Sequence, residues 1–219
     1  MALNKLKFNS LNVTPTAGKT IGFNSSANGL EATLSGGSMT FISKSTASSS
    51  STISFTSGID STYKEYIFIF NNIHPSADSA EFSFQADTGT NTSYNQTVTS
   101  TFFKAQHRQD AVVSGLSYDT SADLAQSTNF QRLGFNLDNG NEDSFSGTLT
   151  IFEPYSSTFV KHFISTNNYT YDGDGDEQYS FNTFVAGYFN TTTALTRFRF
   201  KMESGNIDAG TFKLYGIKN

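Results

Sequence analysis

The strongest constraint on this chain is a rhythm. From Thr52 onward, short segments rich in Phe, Tyr, Ile, Val and Thr recur at spacings of about 8 to 15 residues. Thr52–Ser57 alternates Ile53 and Phe55 with polar positions. Lys64–Phe70, KEYIFIF, is apolar on both faces and reads as a central buried strand. Ala80–Asp87 alternates again and points Phe82 and Phe84 inward. Thr97–Gln106, Phe130–Leu137, Phe145–Phe152, Thr158–Ile164, Ser180–Phe189, Leu195–Met202 and Thr211–Ile217 complete the series. Turn residues separate most of these segments, as at His74-Pro75, Asn139-Gly140, Glu153-Pro154 and Ser204-Gly205-Asn206. Asp119–Ser127 reads as one helical turn or a long loop. Thr158–Phe163 and Thr183–Phe189 echo each other, as adjacent strands would.

No long stretch repeats its apolar residues with the 3.6-residue period of a helix. The 22 Phe and 10 Tyr favour strands, and the abundant Gly, Asn, Ser and Asp favour turns. The fold class is therefore all-β. About ten strands suit a two-sheet antiparallel sandwich, and the long connections favour jelly-roll-like wiring over a simple meander.

Residues 1–40 break the rhythm. They hold five glycines and widely spaced apolar residues: Leu6, Phe8, Leu11, Ile21, Phe23 and Leu30. Lys5, Lys7 and Lys19 against Glu31 make the segment net positive in a chain whose overall charge is −5. Such a segment buries little surface by itself. It reads as an extended docking arm whose apolar residues anchor it on a neighbour. The serines at 45 and 48–51 make residues 41–51 a flexible joint. The sandwich domain is then expected over 52–219.

Several function classes are excluded or disfavoured. The chain has no Cys, so it has no disulfide, thiolate zinc site or cysteine nucleophile. The negative net charge opposes binding to a phosphate backbone, so nucleic acid is not an expected partner. No apolar run approaches membrane-spanning length, and MALNKLKFNSLNV lacks the apolar core of a signal peptide. The expectation is a protein made in the cytoplasm without membrane insertion.

Catalytic constellations are sparse. G-x-S-x-G, P-loop, dinucleotide and H-E-x-x-H patterns are missing. His74, His107 and His162 have no metal-ligand spacing. His162, in phase with Val160 and Ile164, reads as a packed or interfacial residue. Asp138, Glu142 and Asp143 form an acidic cluster that also describes a solvated hairpin loop, while paired carboxylates would suit glycoside hydrolysis. No catalytic residue is assigned.

The stretch YDGDGDE, Tyr171–Glu177, has the D-x-D-x-D opening of a calcium loop. Glu177 stands where the required glycine belongs, and Thr183 where the bidentate Glu belongs. Asp172, Asp174 and Asp176 remain candidate calcium ligands; no other cofactor is expected. Tyr94, Tyr118, Tyr155, Tyr169, Tyr171 and Tyr179 lie near predicted loops. Such rings pack the ends of a core or a subunit interface, and can stack on glycans.

The segment Thr52–Asp78, TISFTSGIDSTYKEYIFIFNNIHPSAD, resembles structural proteins of tailed bacteriophages, especially those infecting marine cyanobacteria. Its G-I-D-S-x-Y turn and its apolar strand ending in N-I-x-P carry the likeness. Thr158–Ser165, TFVKHFIS, and Ala209–Ile217, AGTFKLYGI, fit the same group. The resemblance implies a non-enzymatic virion component on a jelly-roll-like sandwich, assembled as a homotrimer. Its arm would join other virion proteins. It implies a tail fibre or tail-attached adhesin facing a host surface glycan, or a capsid decoration protein clasping the shell. A glycan depolymerase is a more remote implication.

Overall fold

A computed structural model of the chain describes residues 20–23, 26, 28, 30–33, 38–172 and 178–218. Two compact units divide it, Met1–Ser38 and Met39–Asn219. In the first, β1 (Thr20–Phe23) and β2 (Leu30–Thr33) form a short antiparallel hairpin, with Thr20 opposite Thr33 and Phe23 opposite Leu30. So part of the expected arm is a hairpin. Leu6, Phe8 and Leu11 lie outside the described residues.

The second unit is an antiparallel β-sandwich. Its strands are β3 (Met39–Thr46), β4 (Ile53–Phe55), β5 (Glu65–Pro75), β6 (Ala80–Thr88), β7 (Val98–Arg108), β8 (Ser114–Tyr118), β9 (Gln131–Leu137), β10 (Phe145–Phe152), β11 (Lys161–Asp172), β12 (Gln178–Phe189), β13 (Leu195–Met202) and β14 (Ile207–Ile217). One sheet runs β3-β14-β5-β10-β11-β12-β7-β8, and the other β4-β13-β6-β9. Within this order sits a jelly roll. The first and last strands are neighbours, and β3-β14-β5-β10 faces β4-β13-β6-β9, so the chain crosses between sheets at β3–β4, β4–β5, β5–β6, β6–β7, β8–β9, β9–β10, β12–β13 and β13–β14. Two insertions, β7–β8 and β11–β12, then lengthen one sheet beyond β10.

The sequence expectation needs three corrections. Residues 41–46 are not a joint: β3 pairs along β14 from Met39↔Ile217 to Thr46↔Thr211, so the sheet begins at Met39. Strand β8, SGLSY, lacks a buried face and carries no alternation to reveal it. Strand β11 continues to Asp172, eight residues past Ile164, through the polar run Ser165–Asn168. The echo between the segments at 158 and 183 does reflect adjacency, since β11 and β12 pair over their whole length, from Lys161↔Phe189 to Asp172↔Gln178.

Alternation builds the core. On β5, Tyr66, Phe68 and Phe70 point inward and are fully buried, while Ile67 and Ile69 are half-buried on the outer side. Phe68 meets Phe200 at 5.1 Å, Phe70 meets Phe82 at 5.4 Å, and Phe82 meets Phe145 at 4.9 Å, mostly edge-to-face. That geometry places the positive ring edge on the negative face. Without Trp or Cys, this phenylalanine lattice fills the space between the sheets.

The run Ser165–Asn168 is internal for a reason. Strand β9 crosses above β11 and β12, and its pairing to β6 is irregular between Phe82 and Ser83. Leu133 O is satisfied instead by Thr183 Oγ1 at 2.6 Å and Asn167 Nδ2 at 3.3 Å. Ser165 Oγ donates to Thr148 O at 2.7 Å. All three side chains are buried and hydrogen-bonded, as buried polar groups must be. Gly147 has no Cβ because one would collide with Asn167 Oδ1.

Candidate ligand-binding site

Strand β6 has an outward row that should face water: Ser83, Gln85 and Asp87. Each is 2% exposed or less. Two connections cover them, the β6–β7 loop at 89–97 and the β8–β9 loop at 119–130. The segment expected as a helical turn or long loop at Asp119–Ser127 is part of this second loop and forms no helix.

Buried polar side chains hold both loops down. Gln85 Nε2 donates to Gln96 O at 2.9 Å in one loop and to Asn129 O at 3.0 Å and Thr128 O at 3.3 Å in the other. Its Oε1 accepts from Ala86 N at 2.7 Å. Asp87 Oδ2 accepts from Tyr94 N at 2.8 Å, and Oδ1 from Gln96 Nε2 at 3.2 Å. Gln131 Nε2 donates to Ala122 O at 3.0 Å, and Ser100 Oγ both donates to Gln131 Oε1 and accepts from Leu124 N at 2.9 Å. A buried, saturated network of this kind fixes loop geometry before any ligand arrives.

Tyr94 shows the result. Its backbone is held at φ +48°, a region that costs an aromatic residue energy. The Asp87 carboxylate on its N–H and the Arg199 guanidinium, 3.8 Å from its ring centroid, keep it there. Its buried Oη finds no partner among the described residues.

Between the loops and the four-stranded sheet lies a cavity of about 470 Å³. That is within the range of small-molecule sites. Its charges are paired within the wall: Arg132 Nε with Glu81 at 2.6 Å, and Lys201 Nζ with Glu203 at 2.9 Å. Lys201 Nζ also lies 4.8 Å from the centroid of the Phe130 ring. The hydroxyls and amides of Ser93, Asn95, Thr128 and Asn129 complete the rim.

A second cavity, of about 360 Å³, opens beside His74, Glu142 and Asp143. His74 Nε2 is 2.9 Å from Gly140 O. Asp143 is buried and its Oδ1 has no partner among the described residues. Burial, then the charges of Asp78 and Asp143, hold the Asp138 carboxyl above its ordinary value. Among the described residues, no three acidic or histidine side chains are placed to hold a metal. This is the cluster at 138–143, joined in space by Asp78.

The other residues singled out from sequence scatter. Ile21, Phe23 and Leu30 sit exposed on the β1–β2 hairpin. The backbone of Asp172 ends β11, and Asp174 and Asp176 lie outside the described residues. Tyr118 is exposed and donates to Asp123 Oδ2 at 2.5 Å; Tyr155 is exposed near Pro154. Tyr171 and Tyr179 form a half-buried cross-strand pair at 5.8 Å, packed against the core. Tyr169 is corrected: it is 1% exposed, stacked on Phe181 at 5.5 Å, and its Oη accepts from Phe135 N, so it cannot be a surface contact. His162 and Tyr188 share the outer face of the long sheet.

Across its middle strands that outer face is nearly charge-free, with exposed Phe103, Phe184 and Ile164 set among Thr, Ser and Asn. One transverse row runs Tyr118, Phe103, Phe184, Thr166, Thr148 and Ile69. Phe103 and Phe184 stack at 5.8 Å and are partly exposed.

The alternation of β6 points Gln85 and Asp87 away from the core, but no local pattern reveals that loops cover them. Tyr94 is the one residue of the cavity wall that sequence brings forward. Comparison with protein-family models, curated proteins and solved structures finds no match.

Proposed function

We propose that this chain is a non-enzymatic structural protein of a tailed-phage virion, serving as a tail-attached adhesin. The observation that carries the reading is the pair of loops at 89–97 and 119–130, pinned from below by Gln85, Asp87 and Gln131 into a preformed polar cavity. A protein needs fixed loops for recognition; a passive wall does not. The jelly roll hosts both capsid and lectin-type domains, so the fold is compatible with the reading without deciding it. The resemblance of Thr52–Asp78 to phage structural proteins supplies the setting. In this reading the segment before Met39 docks on the virion, the protein assembles as a homotrimer, and the cavity meets a host glycan.

The outer face of the long sheet favours a second reading. Exposed Phe103, Phe184, Ile164 and Tyr118 suit contact with another protein, as a capsid decoration protein would require.

Antibodies to the sandwich, viewed by electron microscopy on intact virions, separate the two. Labelling at the tail tip is expected. Labelling spread over the capsid would replace the adhesin with the decoration protein, and no labelling of virions would remove both.

A further inference from the structure

The cavity over the four-stranded sheet has a definite chemistry. Its charged groups are already matched, Arg132 by Glu81 and Lys201 by Glu203, so its wall offers no net field to an anion or a cation. The rim side chains Ser93, Asn95, Thr128 and Asn129 each present hydrogen-bonding groups and make no hydrogen bond to a described residue. Amides and hydroxyls both donate and accept, which suits a ligand whose groups do both. Half-buried Phe130 adds apolar surface beside them.

Rigidity sharpens the case. Asn129 is held by its carbonyl on Gln85, which leaves its side-chain amide at the rim with its backbone fixed. Tyr94 is held by its N–H on Asp87, while its buried Oη lacks a partner among the described residues. Leaving such a hydroxyl unpaired is unfavourable, and the strained backbone at Tyr94 adds to that. Strain and unpaired polar groups of this kind collect at binding sites.

We propose that this cavity binds a neutral saccharide, one or two pyranose units of a surface polysaccharide. Asn95, Thr128 and Asn129 read the ring hydroxyls, and Phe130 forms the apolar wall. An aromatic ring beside neutral hydrogen-bonding groups matches a molecule with apolar C–H faces and an equatorial belt of hydroxyls. The polysaccharide source rests on the adhesin reading; the ligand chemistry rests on the cavity alone.

The test is saturation-transfer NMR and calorimetry on the full chain. The probes are glucose, galactose, mannose, N-acetylglucosamine and their short oligomers, with glucuronate and a sulfated hexose as anionic comparators. Millimolar binding of at least one neutral sugar is expected. Asn129→Ala and Phe130→Ala should each weaken it tenfold or more. Asn129→Ala keeps the main-chain carbonyl that Gln85 anchors, so the fold persists, and circular dichroism and Tm check this. Asn139→Ala, in the distant loop after β9, should bind normally. Binding of the anionic sugars alone, binding indifferent to both cavity variants, or no binding by the intact protein would each overturn the proposal. Tail labelling without sugar binding would sink this inference and spare the adhesin. Sugar binding with capsid labelling would do the reverse.

Discussion

Gln85 Nε2 donates to Asn129 O at 3.0 Å, from a side chain with no exposed surface to a loop more than forty residues away in sequence. The same amide reaches Gln96 O and Thr128 O. One side chain therefore ties the β6–β7 and β8–β9 loops to the sheet and to each other. Gln85→Leu keeps the volume and removes the donors, leaving three carbonyls under the loops without them. We predict a loss of about 2–4 kcal/mol in urea unfolding. Amide exchange should quicken over 89–97 and 121–130 while the inner strands β5 and β10 stay protected.

Lys161 plays a related part at the start of β11 in the long sheet. It is fully buried, and its ammonium donates to Ser156 O at 2.6 Å, Phe159 O at 2.8 Å and Thr191 O at 3.2 Å. These bonds fold the β10–β11 connection back onto the β12–β13 turn. Burial lowers its pKa, because no carboxylate is among these partners. Lys161→Met should destabilise by about 2–4 kcal/mol, since the carbonyls lose their donors. Limited proteolysis should then cut near Phe159, where the wild type resists.

The fold was legible where alternation was clean. Ile53/Phe55, Phe82/Phe84 and the KEYIFIF strand announce two apolar faces meeting, and the long gaps between strands point to crossing connections. The site was far less legible. Gln85 and Asp87 look like the wet side of an amphipathic strand, and only tertiary cover turns them into buried anchors. The same cause hid the second half of β11: Ser165 and Asn167 are polar by type but internal by position, because Ser165 serves Thr148 O and Asn167, with Thr183, serves Leu133 O. Tyr169 misled in the opposite sense. Its Asn-rich neighbourhood suggests a loop, yet it lies in a long paired strand with its ring in the core.

Gly187 marks a place where packing leaves no room for a side chain. A Cβ there would lie 2.5 Å from Thr99 O and 2.8 Å from both Phe163 Cζ and Ser100 Cβ. The nearest obstacle is backbone of the paired strand β7, which cannot swing aside. Gly187→Ala should cost about 2–3 kcal/mol, seen as a lower urea midpoint with an unchanged slope. Gly115→Ala, on the exposed edge strand β8 with nothing near its Cβ position, should cost little and serves as the comparison.

Asp138 gives the chain a pH dependence of definite sign. Burial, then the charges of Asp78 and Asp143, favour its protonated form in the folded state. Its folded pKa lies above its unfolded value of about 3.9. Between those two pKa values the folded protein holds a proton that the unfolded chain has already released. The stability from this group is fully present below the unfolded pKa and is lost as pH rises through the folded one. Asp138→Asn removes the ionisation yet still offers an oxygen to Asn139 N, which Asp138 Oδ1 now accepts at 2.7 Å. The substitution should raise Tm by roughly 1–3 °C at pH 7, a fraction of a kcal/mol in a chain of this length. The gain should shrink as pH falls and vanish well below the unfolded pKa, where wild-type Asp138 is protonated in both states. Equal Tm for the two proteins at pH 7, or a gain that grows on acidification, would mean that the carboxylates around Asp138 do not repel one another.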